Sequence, residues 1–278
     1  MTDKTGGPIG VFDSGVGGLS ILKEIRRALP SEDLLYVADS AHVPYGEKSV
    51  DYIEWRSTAI AEFLINNGAK AVVVACNTAT AAAIHILRSR FPVPIIGIEP
   101  AVKPAAEATR SGVVGILATS GTLASEKFSA LRSRFDKEVE VLIQPCTGLV
   151  ELVERAELES SETRMLLEKY LVRLLDRGAD VIVLGCTHYP FLAPLIREIA
   201  GPDVSLIDPS AAVAREVRRR LEKEGMLSAA SGIGKERFCV SGSLIEGTSV
   251  ISRLWGRSDI EIGHADVQGE GFLELQQV

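Results

Sequence analysis

Eight short, mostly apolar runs punctuate the chain, at residues 9–12, 34–38, 71–75, 95–98, 113–117, 139–143, 181–184 and 204–207. They are too short for helices, and most are apolar at successive positions, the pattern of a strand buried on both faces of a sheet. Between them lie longer segments in which apolar residues recur every three or four positions. Residues 49–67 show the type: Ser49 supplies an N-cap, Ile53, Ile60, Phe63 and Leu64 share one face, and Gly68 follows as the terminating residue. Strand and helix alternate along the whole length, which predicts an α/β fold built on mainly parallel sheets.

The pattern occurs twice. Gly68-Ala69-Lys70-Ala71-Val72-Val73-Val74-Ala75-Cys76-Asn77-Thr78 matches Gly178-Ala179-Asp180-Val181-Ile182-Val183-Leu184-Gly185-Cys186-Thr187-His188 at a constant offset of 110 positions. Downstream, Gly97-Ile98-Glu99-Pro100 is answered by Leu206-Ile207-Asp208-Pro209, and upstream the stretch Ile9 to Gly15 is echoed by Val114 to Ser120. A duplicated α/β lobe follows from this. The expected division is a first lobe of residues 1–98 with a C-terminal return at 210–278, and a second lobe of 99–209. Two lobes related by a pseudo-twofold axis place equivalent strand ends opposite one another, and α/β sheets bind ligands beyond the carboxyl ends of their strands. Cys76 and Cys186 occupy equivalent strand ends, so the two thiols are expected to approach one ligand from opposite sides of a cleft.

Composition narrows the partners. Of 278 residues, 46% are hydrophobic and 24% charged, enough to bury a substantial core. No run approaches about 18 apolar residues, and the N-terminus lacks the apolar core of a secretory signal, so a cytoplasmic protein is expected. Thirty basic against 37 acidic residues give a net charge of −7, which disfavours nucleic acid and anionic membranes and leaves a small molecule as the expected partner. Cys76, Cys146, Cys186 and Cys239 are too few and too scattered for a disulfide framework, and no Cys-x-x-Cys pair suggests zinc. They read as free thiols. Cys146 and Cys239 read as packing residues, His42, His85 and His264 have no partner pattern, and Arg218 to Arg220 reads as the solvated face of a helix.

Two opposed thiols suit one task well. One, as thiolate, can take a proton from a carbon while the other, as thiol, delivers one to the opposite face, and an ordinary cysteine pKa of about 8.5 makes both states accessible near neutrality. Each thiol needs a helper. Asp13, at the end of the first predicted strand, is the candidate for Cys76, and His188 is the candidate for Cys186. The turn Asp13-Ser14-Gly15-Val16-Gly17-Gly18 is not a dinucleotide fingerprint, because Ser20 stands where the last glycine would be. Its amides and the Ser14 hydroxyl are instead expected to cradle a substrate carboxylate at a helix start. Asn77, Thr78, Thr119 and Thr187 are further candidate hydrogen-bond partners, and Pro44-Tyr45-Gly46 a candidate pocket edge. A Cys186–His188 hydrolase reading leaves Cys76 unexplained.

With these residues assembled, the chain resembles the glutamate racemases of the aspartate/glutamate racemase superfamily. The motifs that carry the likeness are Gly10-Val11-Phe12-Asp13-Ser14-Gly15-Val16-Gly17-Gly18-Leu19, Pro44-Tyr45-Gly46, Ala75-Cys76-Asn77-Thr78-Ala79-Thr80 and Gly185-Cys186-Thr187-His188-Tyr189-Pro190. It extends over residues 8–245; nothing after Gly256 matches. The resemblance implies two pseudo-symmetric lobes with the active site between them, no pyridoxal phosphate or other cofactor, no metal, a homodimer, and D-glutamate as a product destined for peptidoglycan. It implies catalytic roles for Cys76, Cys186, Asp13, His188 and Glu154, with Glu151, three residues earlier on the same predicted helix, as the competing carboxylate. It assigns substrate contacts to Asp13, Ser14, Tyr45, Gly46, Asn77, Thr78, Thr119, Thr187 and His188. A racemase for aspartate or another small acid, and a non-catalytic two-lobe binding protein, are the alternative readings.

Overall fold

The structure, a computed structural model, describes residues 5–135 and 138–267. Its strands in chain order are β1 (Ile9–Asp13), β2 (Leu34–Ala38), β3 (Ala71–Val74), β4 (Ile95–Gly97), β5 (Val113–Ala118), β6 (Glu140–Pro145), β7 (Val181–Leu184), β8 (Ser205–Ile207), β9 (Glu236–Val240) and β10 (Glu261–His264). They form a six-stranded sheet in the order β10-β9-β2-β1-β3-β4 and a four-stranded sheet in the order β6-β5-β7-β8. Every pairing among the described residues is parallel. The α/β architecture expected from the alternation is therefore present, and the repeat is visible in the topology. The order β2-β1-β3-β4 in one sheet is the order β6-β5-β7-β8 in the other.

The eight apolar runs all became strands, with ends shifted by no more than two residues. Strands β9 and β10 are additions that the apolar pattern does not signal. The first reads Glu-Arg-Phe-Cys-Val, charged in its first half, and the second is Glu-Ile-Gly-His at the sheet edge, where register against β9, Glu261 opposite Arg237 onward, decides the pairing. Part of the unmatched tail is thus built into the larger sheet; the remainder, 268–278, lies outside the described residues.

Alternation along the strands sorts side chains into layers. In β7, Ile182 and Leu184 face a central cluster that also contains Ile9, Val11, Leu19 and Leu22, while Val181 and Val183 face an outer cluster with Val102 and Phe128. Residues from both sheets meet in the central cluster, so the two halves share one apolar core.

Both central strands carry glycine at the same point of the repeat. A Cβ on Gly10 in β1 would lie 3.0 Å from Ala69 Cβ and 3.2 Å from Leu64, which belongs to helix Val50–Asn66. A Cβ on Gly115 in β5 would lie 2.7 Å from Ile182 and 2.8 Å from Leu174, in helix Ser161–Leu175. The missing side chain lets the preceding repeat helix sit close on its sheet in each half. Gly10→Val and Gly115→Val should each cost about 1–3 kcal/mol through overpacking, read as a lower urea midpoint. Unchanged midpoints would show that these helices do not rest on the glycines.

Candidate active site

The residues that directly follow β1, β3, β5 and β7 converge on one cavity: Ser14, Cys76, Thr119 and the run Cys186-Thr187-His188 all line it. Cys76, two residues beyond β3, is the N-cap of helix Asn77–Arg90, its sulfur accepting a hydrogen bond from Ala79 N at 3.4 Å. The thiol donates to Ser14 Oγ at 3.7 Å, and that hydroxyl donates to Asp13 Oδ1 at 3.0 Å. Asp13 therefore supports Cys76 through Ser14, an intermediary that reading the strand end alone does not anticipate. Burial, reinforced by the Asp13 charge, pushes the Cys76 thiol up to about 12, against the pull of the Ala79 amide and Ser14. At neutral pH it holds its proton.

Cys186 sits in a different electrostatic setting. Its sulfur lies 3.6 Å from His188 Nδ1, and His188 Nε2 lies 2.6 Å from Glu154 Oε1. Burial works to lower the pKa of His188, but the hydrogen bonds to Cys186 and Glu154 and the facing negative charge outweigh it and hold the imidazole well above its usual value. The histidine is thus an imidazolium between a sulfur and a carboxylate. Of the two carboxylates on helix Leu149–Glu154, it is Glu154 that reaches this histidine; Glu151 faces a neighbouring crevice with Thr119, Cys146 and Thr147.

Each of these hydrogen-bonded chains is braced from the opposite half of the molecule. Asp13 is fully buried, and its Oδ2 accepts from Thr187 Oγ1 at 2.7 Å while Oδ1 also accepts from Gly15 N at 3.0 Å. Burial raises the Asp13 carboxyl above the usual carboxylate range, with the His188 charge, Thr187 and Gly15 opposing. Glu154 Oε1 in turn accepts from Val16 N at 2.8 Å, in the turn after β1. The glycine turn does cradle a carboxylate at a helix start, as expected, but that carboxylate is the protein's own Glu154. A Cβ on Gly15 would overlap Glu154, and one on Gly17 would overlap His188. Glycine there provides the space in which the two halves interlock.

The remaining expected contacts, Tyr45, Gly46, Asn77 and Thr78, also line the cavity, whereas Asp13 and Glu154 stand behind it. Asn77 is 5% exposed with neither amide atom partnered, leaving both a donor and an acceptor for a ligand. Thr78 Oγ1 lies 3.0 Å from Thr119 and 3.1 Å from Thr122, joining the two halves at a second point. Thr122 and Val150 line the cavity and were not expected. Thr122 had a signal, since Thr119 three residues earlier caps its helix through the Thr122 amide; Val150 is one aliphatic residue among several on its helix. No lysine or arginine is among the lining residues, so an anion entering the cavity meets amides, hydroxyls and one imidazolium.

A family model described as Asp/Glu/Hydantoin racemase matches residues 9–217. The chain belongs to this family. Glutamate racemase from Methylococcus capsulatus is 56% identical to it over 248 residues, 89% of this chain and 92% of the relative. The structure of glutamate racemase from Francisella tularensis in complex with D-glutamate superposes with a TM-score of 0.82 at 30% identity, covering 95% of this chain and 99% of that one. The Escherichia coli enzyme in complex with L-glutamate and the activator UDP-MurNAc-ala gives a TM-score of 0.82 at 33% identity, with 93% and 98% covered. The chain is an amino-acid racemase, and its two-lobe architecture is that of the family.

The charge on His188 depends on Glu154 in this geometry. A histidine whose folded pKa lies above its unfolded value of about 6.5 stabilises the fold fully below that value and ceases to do so as pH rises through the folded pKa. Glu154→Gln should move the His188 titration down, followed by nitrogen NMR of its ring, and should reduce the loss of stability that the racemase shows on going from pH 6.5 to alkaline pH. A His188 titration unchanged by the substitution would contradict the assignment of Glu154 as its partner.

Proposed function

We propose that this racemase interconverts L- and D-glutamate by direct proton transfer at the α-carbon, with Cys76 acting on one face and Cys186 on the other. The observation that carries the reading is that two thiols from equivalent strand ends of a duplicated fold line one cavity, each with its own hydrogen-bonded partner. In one direction a Cys186 thiolate removes the α-proton and the Cys76 thiol protonates the opposite face. That turnover leaves Cys76 as thiolate and Cys186 as thiol; Cys76 regains a proton from solvent along the Ser14–Asp13 chain, Asp13 carrying it transiently as its raised pKa allows, and Cys186 releases the captured proton to solvent. In the other direction Cys76 is the base, its own proton having passed through Ser14 to Asp13, and Cys186 is the acid, resupplied by the His188 imidazolium that Glu154 holds in place.

The two thiols supply both proton transfers, so the reaction we propose uses no cofactor and no metal. Burial favours this chemistry, because a poorly hydrated sulfur loses little on entering a dry cleft. Asn77, Thr78, Thr119, Thr187, Ser14, Tyr45 and Gly46 are the groups we assign to holding the substrate. The unpartnered Asn77 amide and the hydroxyls around it support that assignment. Carbanion formation next to a carboxylate requires its negative charge to be spread into donors, and the amides at the start of helix Asn77–Arg90 are placed for it. No helix among the described residues is long and apolar enough to cross a membrane. We place the enzyme in the cytoplasm as a homodimer whose D-glutamate enters peptidoglycan synthesis, as the family resemblance implies.

Cys76→Ser and Cys186→Ser should each lower racemisation in both directions by about 10²–10⁴-fold, because a hydroxyl is a far weaker acid than a thiol, while leaving the urea midpoint unchanged. Polarimetry with each glutamate enantiomer reads the rate. A near-wild-type rate in either variant would end the two-thiol mechanism, and turnover of aspartate in place of glutamate would move the substrate assignment while keeping the chemistry.

A further inference from the structure

Tyr45 forms part of the cavity wall, but its hydroxyl points away from the ligand space. It donates to Asp39 Oδ2 at 2.6 Å. Asp39, fully buried just beyond the end of β2, is gripped by Arg56 through two bonds, Nε to Oδ2 at 2.8 Å and Nη2 to Oδ1 at 2.7 Å. Arg56 is itself buried within helix Val50–Asn66, and its remaining nitrogen, Nη1, donates to the Val267 carbonyl at 2.7 Å. The chain reaches that point because β10 delivers it there: Ala265 is buried and bonds back to the Val240 carbonyl at 2.8 Å. The connection thus runs from the segment after β10, through a desolvated ion pair, to the cavity wall.

The short helix Tyr45–Glu47 also touches the other half of the molecule. Gly46 packs against Thr119 and Gly121, which follow β5, so this loop lies across the mouth between the two sheets. Its own backbone bonds are few: Lys48 N to the Tyr45 carbonyl at 3.1 Å, with His42 N to the Asp39 carbonyl at 2.9 Å just before it. Such a segment keeps one geometry only if a side chain anchors it. The Tyr45 phenol on Asp39 is one such anchor, beside the contact of His42 Nδ1 with the Tyr52 hydroxyl, and a bidentate guanidinium fixes the carboxylate in a plane that a lysine ammonium would not define.

We propose that Arg56, Asp39 and the Val267 carbonyl form a strap that fixes Tyr45, and with it the loop that closes the substrate cavity, making Arg56 and Asp39 positioning residues for racemisation. The substrate cavity in this statement rests on the proposed function. A merely structural ion pair would contribute to stability and leave substrate affinity alone. A strap acts on affinity, because a loosened wall must be reordered each time the substrate binds.

The test uses full-length Tyr45→Phe, Arg56→Lys and the double variant, with kcat and KM for both enantiomers, the urea midpoint, and hydrogen exchange of the peptide covering residues 42–48 in the ligand-free protein. Tyr45→Phe removes one hydroxyl and keeps the ring, so it retains the fold; its KM should rise about tenfold, the effect of one hydrogen bond to a charged group, with kcat within about threefold of wild type. Arg56→Lys should raise KM in the same way, and the double variant should be no worse than the more affected single one, because both changes cut the same path. Unchanged KM in Tyr45→Phe, or additive losses in the double variant, would overturn the strap. Exchange in residues 42–48 separates this result from the substrate assignment. If the wild-type protein fails to turn over glutamate, the proposed function falls, while faster exchange in both variants still supports the strap and unchanged exchange still overturns it.

Discussion

A carboxylate without solvent must have its charge answered by neighbouring donors, and Asp13 has none to spare: it is fully buried and takes Ser14, Gly15 and Thr187 as its three hydrogen-bond donors. Two of these come from its own turn and the third from the opposite half of the molecule, one residue from Cys186. Satisfying Asp13 therefore sets the distance between the two lobes at the level of their strand ends. Glu154 repeats the arrangement in the other sense, holding His188 of its own half and Val16 of the other. Thr187, next to His188, donates to Asp13, and Val16, in the turn after Asp13, donates to Glu154, which ties the two hydrogen-bonded chains to one frame.

The two sites differ in charge although the fold that carries them is duplicated. Cys76 faces an aspartate through a neutral hydroxyl and is kept protonated by burial; Cys186 faces an imidazolium backed by a carboxylate. The two-thiol reaction we propose needs an acid and a base at once, and two equivalent environments would give two thiols or two thiolates. Divergence at Asp13 against Ala118, and at Thr78 against His188, supplies the asymmetry within a common backbone.

The features that run along the chain could be read from it. Apolar runs located eight strands because burial on both faces of a parallel sheet leaves a local signature, and the repeat placed Cys76 and Cys186 at matching points because duplication preserves offset. What the chain concealed depends on side chains meeting across space. That Ser14 stands between Cys76 and Asp13, that the glycine turn accommodates Glu154, and that Thr122 joins Thr78 are facts of direction, not of spacing. Asp39 and Arg56 left no mark at all: each is a charged residue in an ordinary surface-like context, buried as a pair that Tyr45 and the Val267 carbonyl complete. The half-charged β9 and four-residue β10 were hidden for a related reason, since they are held by pairing to a sheet formed from the other end of the chain.

Whether two groups act on opposite faces is decided most directly by where solvent hydrogen first appears. With D-glutamate in deuterated water at early times, a two-thiol racemase transfers deuterium from one cysteine to the newly formed L-glutamate while the remaining D-glutamate keeps its protium, and the reverse holds when L-glutamate is the starting material; proton NMR at the α-carbon after chiral separation resolves the two pools. The account predicts early deuterium in the product enantiomer alone, from either side. Equal early labelling of both enantiomers would mean that one base serves both faces, and would contradict it.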